Sequence, residues 1–218
     1  LTNNLYSFYH MNKIELHLSQ IHNKKNVRLI GNCTVGLVIA IKTLNLMGKR
    51  VGIPNNVCFS LPQSLMYAGA KPVYLDIEEE NFGLCPIDAN KTKGLSALIA
   101  VHAYGRLCSI NNLAKLCKEK GWYLIEDFSV AQGSSAPNGP AGSFGDISVT
   151  SFGSGKIIDI DHGGAIMTDN LEWAKKINCF VDKLPMFDQN IHSCNKIISS
   201  IHTNLYNNQF LPQRKVDY

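Results

Sequence analysis

The sequence predicts an α/β fold: a mainly parallel central sheet with helices packed on both faces. Three observations predict it. Strand-like apolar runs alternate with helix-periodic segments along the chain, residues 95–104 are apolar almost throughout, as in a strand buried on both faces, and glycines (Gly48, Gly69, Gly121) close the periodic segments. Such a fold gathers its chemically active residues at the strand ends.

Taken in order, 27–30 is the first strand. Over 34–47 the residues Val35, Leu37, Val38, Ile41, Leu44 and Leu46 are spaced as on a helix, and Gly48 ends it. Residues 51–54 form a short strand. A helix over 61–68 stops at Gly69, and 72–77 is the next strand. The apolar run 95–104 follows, then a helix over 111–120 with Asn111 or Asn112 as its cap and Gly121 as its stop. Residues 122–126, 146–152 and 164–168 are strands, and Asp169 or Asn170 starts a helix that carries Trp173, Ile177 and Phe180. Pro137-Asn138-Gly139-Pro140 marks a turn. Beyond Lys183 the pattern weakens to one further candidate helix over 191–205, with Ile197, Ile198, Ile201 and Leu205 on one face.

Composition narrows the function classes. With 218 residues and 45% hydrophobic content the chain can bury one sizeable core. A net charge of +4 with no basic cluster interleaved with aromatics argues against nucleic acid. The charged fraction, 17%, is low enough to suggest that a partner covers part of the surface. Seven cysteines without a CxxC pair, and no signal peptide, point to reduced thiols in a cytoplasm and to no metal site. No apolar run reaches about 18 residues, so no membrane span is expected. The absence of GxGxxG after the first strand argues against a nucleotide-binding Rossmann protein. The start at Leu1 and the uneven stretch before Tyr218 read as cut ends.

Two stretches carry the chemistry. Glu126-Asp127 ends the apolar run 122–125, and Lys156 lies in Ser151-Phe152-Gly153-Ser154-Gly155-Lys156, shortly before Gly163-Gly164. A strand-end carboxylate with a lysine in a small-residue loop is the pairing that pyridoxal phosphate requires: the amine forms a Schiff base with the aldehyde, and the carboxylate keeps the pyridine nitrogen protonated. Gly31-Asn32-Cys33-Thr34-Val35-Gly36, at a strand-to-helix junction, can hold a phosphate through free N–H groups and the Thr34 hydroxyl. Phe59, after Pro54-Asn55-Asn56-Val57-Cys58, can stack on a ring. Each has a plainer alternative: an ordinary N-cap, a core phenylalanine, a capping or ion-paired aspartate, a solvated loop lysine. Their order and spacing together favour the cofactor.

In these blocks the chain resembles the DegT/DnrJ/EryC1/StrS sugar aminotransferases, pyridoxal phosphate enzymes of the aspartate-aminotransferase fold. The likeness includes Asn-Cys-Thr-Val-Gly-Leu at 32–37, where the family favours Ser-Gly-Thr-Ala-Ala-Leu. It continues through 54–59, 68–76, 101–105, 125–133, 142–146, 151–156 and Gly163-Gly164-Ala165. The resemblance implies a three-layer α/β/α large domain. It makes Lys156 the Schiff-base lysine and proton shuttle, Asp127 the partner of the pyridine nitrogen and Phe59 the ring platform. Thr34, Val35 (through its N–H) and Ser151 become the phosphate ligands. It further implies glutamate as amino donor, a nucleotide-linked keto-sugar as acceptor, surface-glycan or related sugar synthesis as the setting, and a homodimer with the site at the subunit interface.

The chain departs from that pattern in four places. Three residues after the aspartate, where the family places Gln or His against the phenolic oxygen, stands Val130; Gln132, two further on, is the remaining cofactor-binding candidate there. His162 replaces the usual Glu six residues after the lysine. No counterpart of Gly-Tyr-Asn-Tyr-Arg follows Phe180, and the family's C-terminal small domain is not recognisable. The expected organisation is therefore a cofactor-binding large domain over 1–184 and a helical or irregular tail over 185–218. A non-catalytic or truncated member that keeps the fold for cofactor binding or dimerisation is the alternative reading. A pyridoxal-phosphate-dependent sugar dehydratase is the second, opposed by Lys156 because that branch carries histidine there.

Overall fold

The computed structural model describes residues 12–185. The elements in chain order are α1 (Lys13–His22), β1 (Asn26–Ile30), α2 (Cys33–Thr43), β2 (Arg50–Pro54), α3 (Ser60–Tyr67), β3 (Lys71–Leu75), α4 (Pro86–Lys91), β4 (Leu95–Val101), α5 (Ile110–Lys120), β5 (Tyr123–Asp127), the small hairpin β6 (Ser135–Ala136) and β7 (Gly139–Pro140), β8 (Ile147–Ser151), β9 (Gly164–Thr168) and α6 (Leu171–Val181). Among the described residues seven strands form one sheet in the order β1-β9-β8-β5-β4-β2-β3. The pairs β2–β3, β2–β4, β4–β5 and β5–β8 are parallel, whereas β9 runs antiparallel to both β8 and β1. The fold is thus the expected α/β type, with one reversed strand inside a mainly parallel sheet.

Period-two alternation sorts the core into layers. On β4, Ala97 and Ile99 join a cluster with Leu37, Ile41, Leu61, Leu65 and Ile177, so α2, α3 and α6 cover that face. Leu98 and Ala100 point the other way, to Ala89, Leu113 and Leu116 of α4 and α5. A third cluster, with Leu18 of α1, Val27, Phe128 and Met167, fills the β1–β9 end. Each fully buried aliphatic side chain contributes about 1.5–3 kcal/mol. A strand apolar on both faces is what two helical layers demand.

Several boundaries move for local reasons. The helix expected over 34–47 ends at Thr43, because Asn45 takes a left-handed φ of 54° and Gly48 one of 73°; Leu44 and Leu46 still pack into the core from the turn. The run 95–104 leaves the sheet at Val101, and Tyr104 (φ 53°) turns the chain. The strand expected over 72–77 stops at Leu75, and Ile77 makes a lone antiparallel bridge to Leu84. Helix α5 begins one residue early with Ser109, not Asn111 or Asn112, at the N-cap position; Asn111 instead accepts from Asn138 Nδ2 at 3.3 Å. Asn170 caps α6 by accepting from the Glu172 and Trp173 amides, and Gly121 (φ 66°) ends α5. The candidate helix over 191–205 lies outside the described residues.

Candidate active site

The topology brings the chemical stretches to one end of the sheet. Strands β5 and β8 are parallel neighbours and end at Asp127 and Ser151. Strand β1 runs the same way, and Ile30 pairs with Gly164 at the start of β9, so the turn into α2 opens at that same end. Backbone contact fixes the junction: Gly163 N donates to Gly31 O at 2.9 Å. A Cβ on Gly164 would lie 2.5 Å from Thr150 O and 3.2 Å from Cys33 N, so only glycine lets β9 pass between β8 and the start of α2.

Asp127 is nearly buried, on the α2 side of the sheet. Its Oδ1 accepts from Ser129 N at 3.0 Å and its Oδ2 from the Cys33 thiol at 3.7 Å, which ties the end of β5 to the first residue of α2. The buried Ser129 hydroxyl lies close by the Cys33 sulfur and favours its thiolate. Burial, and then the neighbouring Asp127 charge, push the Cys33 thiol well above its ordinary range. Lys156 is half-buried in the loop after β8. Its charge favours the thiolates of both Cys33 and Cys58, and the Asp127 charge opposes both. Cys58 itself is exposed and lowered by the Ser60 hydroxyl, which donates to its sulfur at 3.3 Å, and by the Ser60 amide.

The remaining candidates line the same end. Phe59, next to Cys58, is 72% exposed and makes no capping bond at the start of α3. Thr34 is exposed in the first turn of α2, whereas the Val35 N–H donates to the Asn32 side chain at 2.9 Å. Ser151 is buried; its Oγ accepts from Gly153 N at 3.2 Å, which leaves the hydroxyl proton to be donated. Gln132 is buried with both amide hydrogens used: Nε2 donates to Thr150 Oγ1 (2.7 Å) and Ser151 O (2.9 Å), and Oε1 accepts from Ile158 N (3.0 Å). Val130 is half-buried and offers no polar side chain, and His162 is exposed.

Sequence reasoning passed over Glu126. It is fully enclosed on the opposite face of β5, and accepts from His102 Nε2 (3.0 Å), Gly142 N (2.6 Å), Phe144 N and Gly145 N (2.8 Å each) and Ser148 Oγ (3.2 Å). His102 Nδ1 accepts from Cys108 N at 3.2 Å, so the ring hydrogen lies on Nε2. Burial raises the Glu126 carboxyl, but the His102 bond and the loop amides outweigh it and hold the group below its ordinary value. An acid beside the candidate aspartate was the available signal.

The residues present fit a pyridoxal phosphate. A recessed carboxylate lies against Cys33 at the start of α2, a lysine stands in the loop beyond β8, and Thr34 in the first turn of α2 and Ser151 at the end of β8 offer hydroxyls. Among the described residues no group of three or more His, Cys, Asp or Glu is arranged to hold a metal, and no helix is long and apolar enough to cross a membrane.

Comparison with known proteins agrees. The model of the DegT/DnrJ/EryC1/StrS aminotransferase family matches residues 2–193. The GDP-perosamine synthase of Vibrio cholerae is 31% identical over 164 residues, which cover 74% of this chain and 45% of that protein. The solved structure of DesI in the presence of its TDP-sugar product superposes with a TM-score of 0.70 at 30% identity, over 76% of this chain and 42% of that one. NtdA from Bacillus subtilis, with bound cofactor PMP, superposes with a TM-score of 0.71 at 27% identity, over 76% and 38%. The chain spans a little under half the length of the curated relatives it matches.

Proposed function

The chain belongs to the DegT/DnrJ/EryC1/StrS aminotransferase family, and on that premise we propose that it is the cofactor-binding part of a pyridoxal-phosphate-dependent aminotransferase acting on a nucleotide-linked keto-sugar, with glutamate as amino donor. The single observation that carries this reading is the Asp127–Cys33 contact, which sets the strand-end carboxylate against the first residue of α2, within electrostatic reach of Lys156. The relatives named for GDP- and TDP-sugars support the substrate class, and surface-glycan or related sugar synthesis in the cytoplasm is the setting we infer. The compact unit that ends at Lys183 supports reading 1–184 as the large domain and 185–218 as a separate tail.

Pyridoxal phosphate, when bound, supplies an aldehyde that takes up an amine and a ring that draws electrons from the neighbouring carbon. The chain's own residues do the rest. Lys156 would hold the group through Nζ and, once freed from it, would serve as the base that moves the substrate proton. Asp127 holds a proton on the ring nitrogen; its two present donors, an amide and a weak thiol, leave it acceptor capacity for that bond. Thr34 and Ser151 bind the phosphate through their hydroxyls. Val35 N–H joins them only when the Asn32 cap turns away, since Asn32 Oδ1 holds that amide. Phe59 covers one ring face and excludes water. We further propose a homodimer: Phe59, Tyr104, Ile157, Ile158 and Ile160 are exposed apolar residues on the loops at this end of the sheet, and a second copy would cover them.

Purified protein mixed with pyridoxal phosphate should gain a visible absorption band, and borohydride should fix the cofactor on the peptide containing Lys156. Lys156→Ala should abolish both. Label that persists elsewhere in the alanine variant would sink the assignment.

A further inference from the structure

We propose that Gln132 is a positioning residue for Lys156: its side-chain amide clamps the loop beyond the lysine onto the end of β8. The idea rests on the reading of Lys156 as the attachment lysine. Lys156 lies between the two halves of the clamp, five residues after Ser151, whose carbonyl takes one amide hydrogen, and two before Ile158, whose N–H meets the amide oxygen. The second amide hydrogen goes to Thr150 Oγ1, inside the strand. Both Nε2 hydrogens are therefore engaged and Oε1 accepts from Ile158 N, so an acceptor atom of a cofactor could bond Gln132 only by displacing Thr150 or Ser151.

Backbone bonds hold the loop on either side of Ile158: Lys156 N donates to Gly153 O at 3.2 Å and Ile160 N to Phe152 O at 3.0 Å. At its base Phe152 N donates to Gly163 O and Gly163 N to Gly31 O. A second brace, Asp159 accepting from Gly155 N and Asp161 N, stands in solvent and competes with water. Ile157, Ile158 and Ile160 are exposed. Gln132 is only 7% exposed, so its three bonds form away from water, where they are strongest and where losing one is costly. A transferring lysine must reach both the aldehyde carbon and the substrate proton, and misplacement by an ångström costs about a hundred-fold in rate.

The test compares wild type, Gln132→Leu and Gln132→Glu as full chains. In cofactor-free protein, amide hydrogen exchange should show Ile158 losing about ten-fold or more of its protection in Gln132→Leu while Val149 in β8 keeps its own. Gln132→Glu keeps an acceptor for Ile158 N and should keep most of that protection. Capture of pyridoxal phosphate on Lys156, trapped by borohydride and read by mass spectrometry across pH, should slow about ten- to a hundred-fold in the leucine variant, with its pH midpoint displaced, and recover in part in the glutamate variant. Unchanged Ile158 protection in Gln132→Leu, or lost protection with an unmoved capture profile, overturns the proposal. If wild type does not capture the cofactor on Lys156, the attachment reading fails by itself. Reductive methylation of Lys156 by formaldehyde then decides the clamp: a pH profile that differs between wild type and Gln132→Leu supports it, and coincident profiles overturn it.

Discussion

Glu126 and Asp127 are consecutive on β5, chemically alike and similarly deep, yet they turn to opposite faces of the sheet and meet opposite surroundings. Glu126 accepts from five donors, three of them backbone amides of the 142–145 loop. Asp127 accepts from one amide and a distant thiol. A buried carboxylate saturated by its own chain is a structural post. One left with spare acceptor capacity has room for a group that the chain does not supply.

Removing each acid should separate the two roles, and this is the largest effect expected. Glu126→Ala strands His102, Ser148 and three loop amides in a dry interior. It should cost about 3–5 kcal/mol of stability, enough to threaten folding. Asp127→Asn keeps an acceptor for Ser129 N and should change stability by no more than about 1 kcal/mol, while the glutamate half-reaction with bound cofactor is largely lost. Urea denaturation gives the first quantity and single-turnover absorbance the second. Equal destabilisation by the two substitutions would break the contrast.

Acid should act on the Glu126 face first. The Glu126 carboxyl is held below its ordinary 4.5, so the folded state binds fewer protons than the unfolded one. Its contribution is present above that value and is lost as pH falls through the folded pKa. His22 adds to the loss. Burial, partly opposed by the Ala141 carbonyl that its Nδ1 meets at 2.7 Å, lowers the ring from 6.5, so stability declines as pH falls below 6.5 toward the folded value. In alkali the sign reverses for thiols. Burial holds Cys117 up at about 12, and its contribution, present below the ordinary 9.0, is lost as pH rises through the folded value. Urea midpoints measured across pH should trace a plateau with an acid shoulder that begins near His22's range, and His22→Gln should flatten that shoulder. A shoulder unchanged in the variant would remove His22 from the account.

How far the sequence reveals this contrast depends on the range of the contacts involved. Strand β9 is legible over its full length because its five buried residues lie between Gly163 and Asp169. The stop of α5 at Gly121 is legible because a left-handed φ favours glycine. Helix α1 was missed: its capping box, Asn12 with Glu15, closes locally, but its buried face is only Glu15, Leu18 and His22. Helix α4 is six residues long and too short to show a period. Asp127, Lys156 and Ser151 could be singled out because each sits at a strand end or in its loop. The saturation of Glu126 could not, since its donors lie between 16 and 24 residues away and converge only when β4, β5 and β8 pair. The bonds of Gln132 were hidden for the same reason: its type suggests a cofactor ligand, while its partners Thr150, Ser151 and Ile158 lie 18 to 26 residues on.

The smallest expected effect is the finest form of the contrast. Ser148 and Cys33 each give one side-chain donor to an acid of β5, Ser148 Oγ to Glu126 at 3.2 Å and Cys33 Sγ to Asp127 at 3.7 Å. Replacing either by alanine deletes one heavy atom and leaves the acid in place. Around Glu126 the remaining four donors are rigid and water is excluded, so Ser148→Ala should cost about 1 kcal/mol, the net worth of one buried hydrogen bond. A thiol is a weak donor, and Asp127 lies on the face that opens toward the proposed cofactor site, where another partner can take its place. Cys33→Ala should therefore cost no more than about 0.5 kcal/mol, below the usual worth of a hydrogen bond. Matched urea titrations with unchanged m-values resolve a difference of that size. Should Cys33→Ala prove the costlier of the two, Asp127 would depend on its thiol as Glu126 depends on its amides, and its spare acceptor capacity would no longer argue for a missing group.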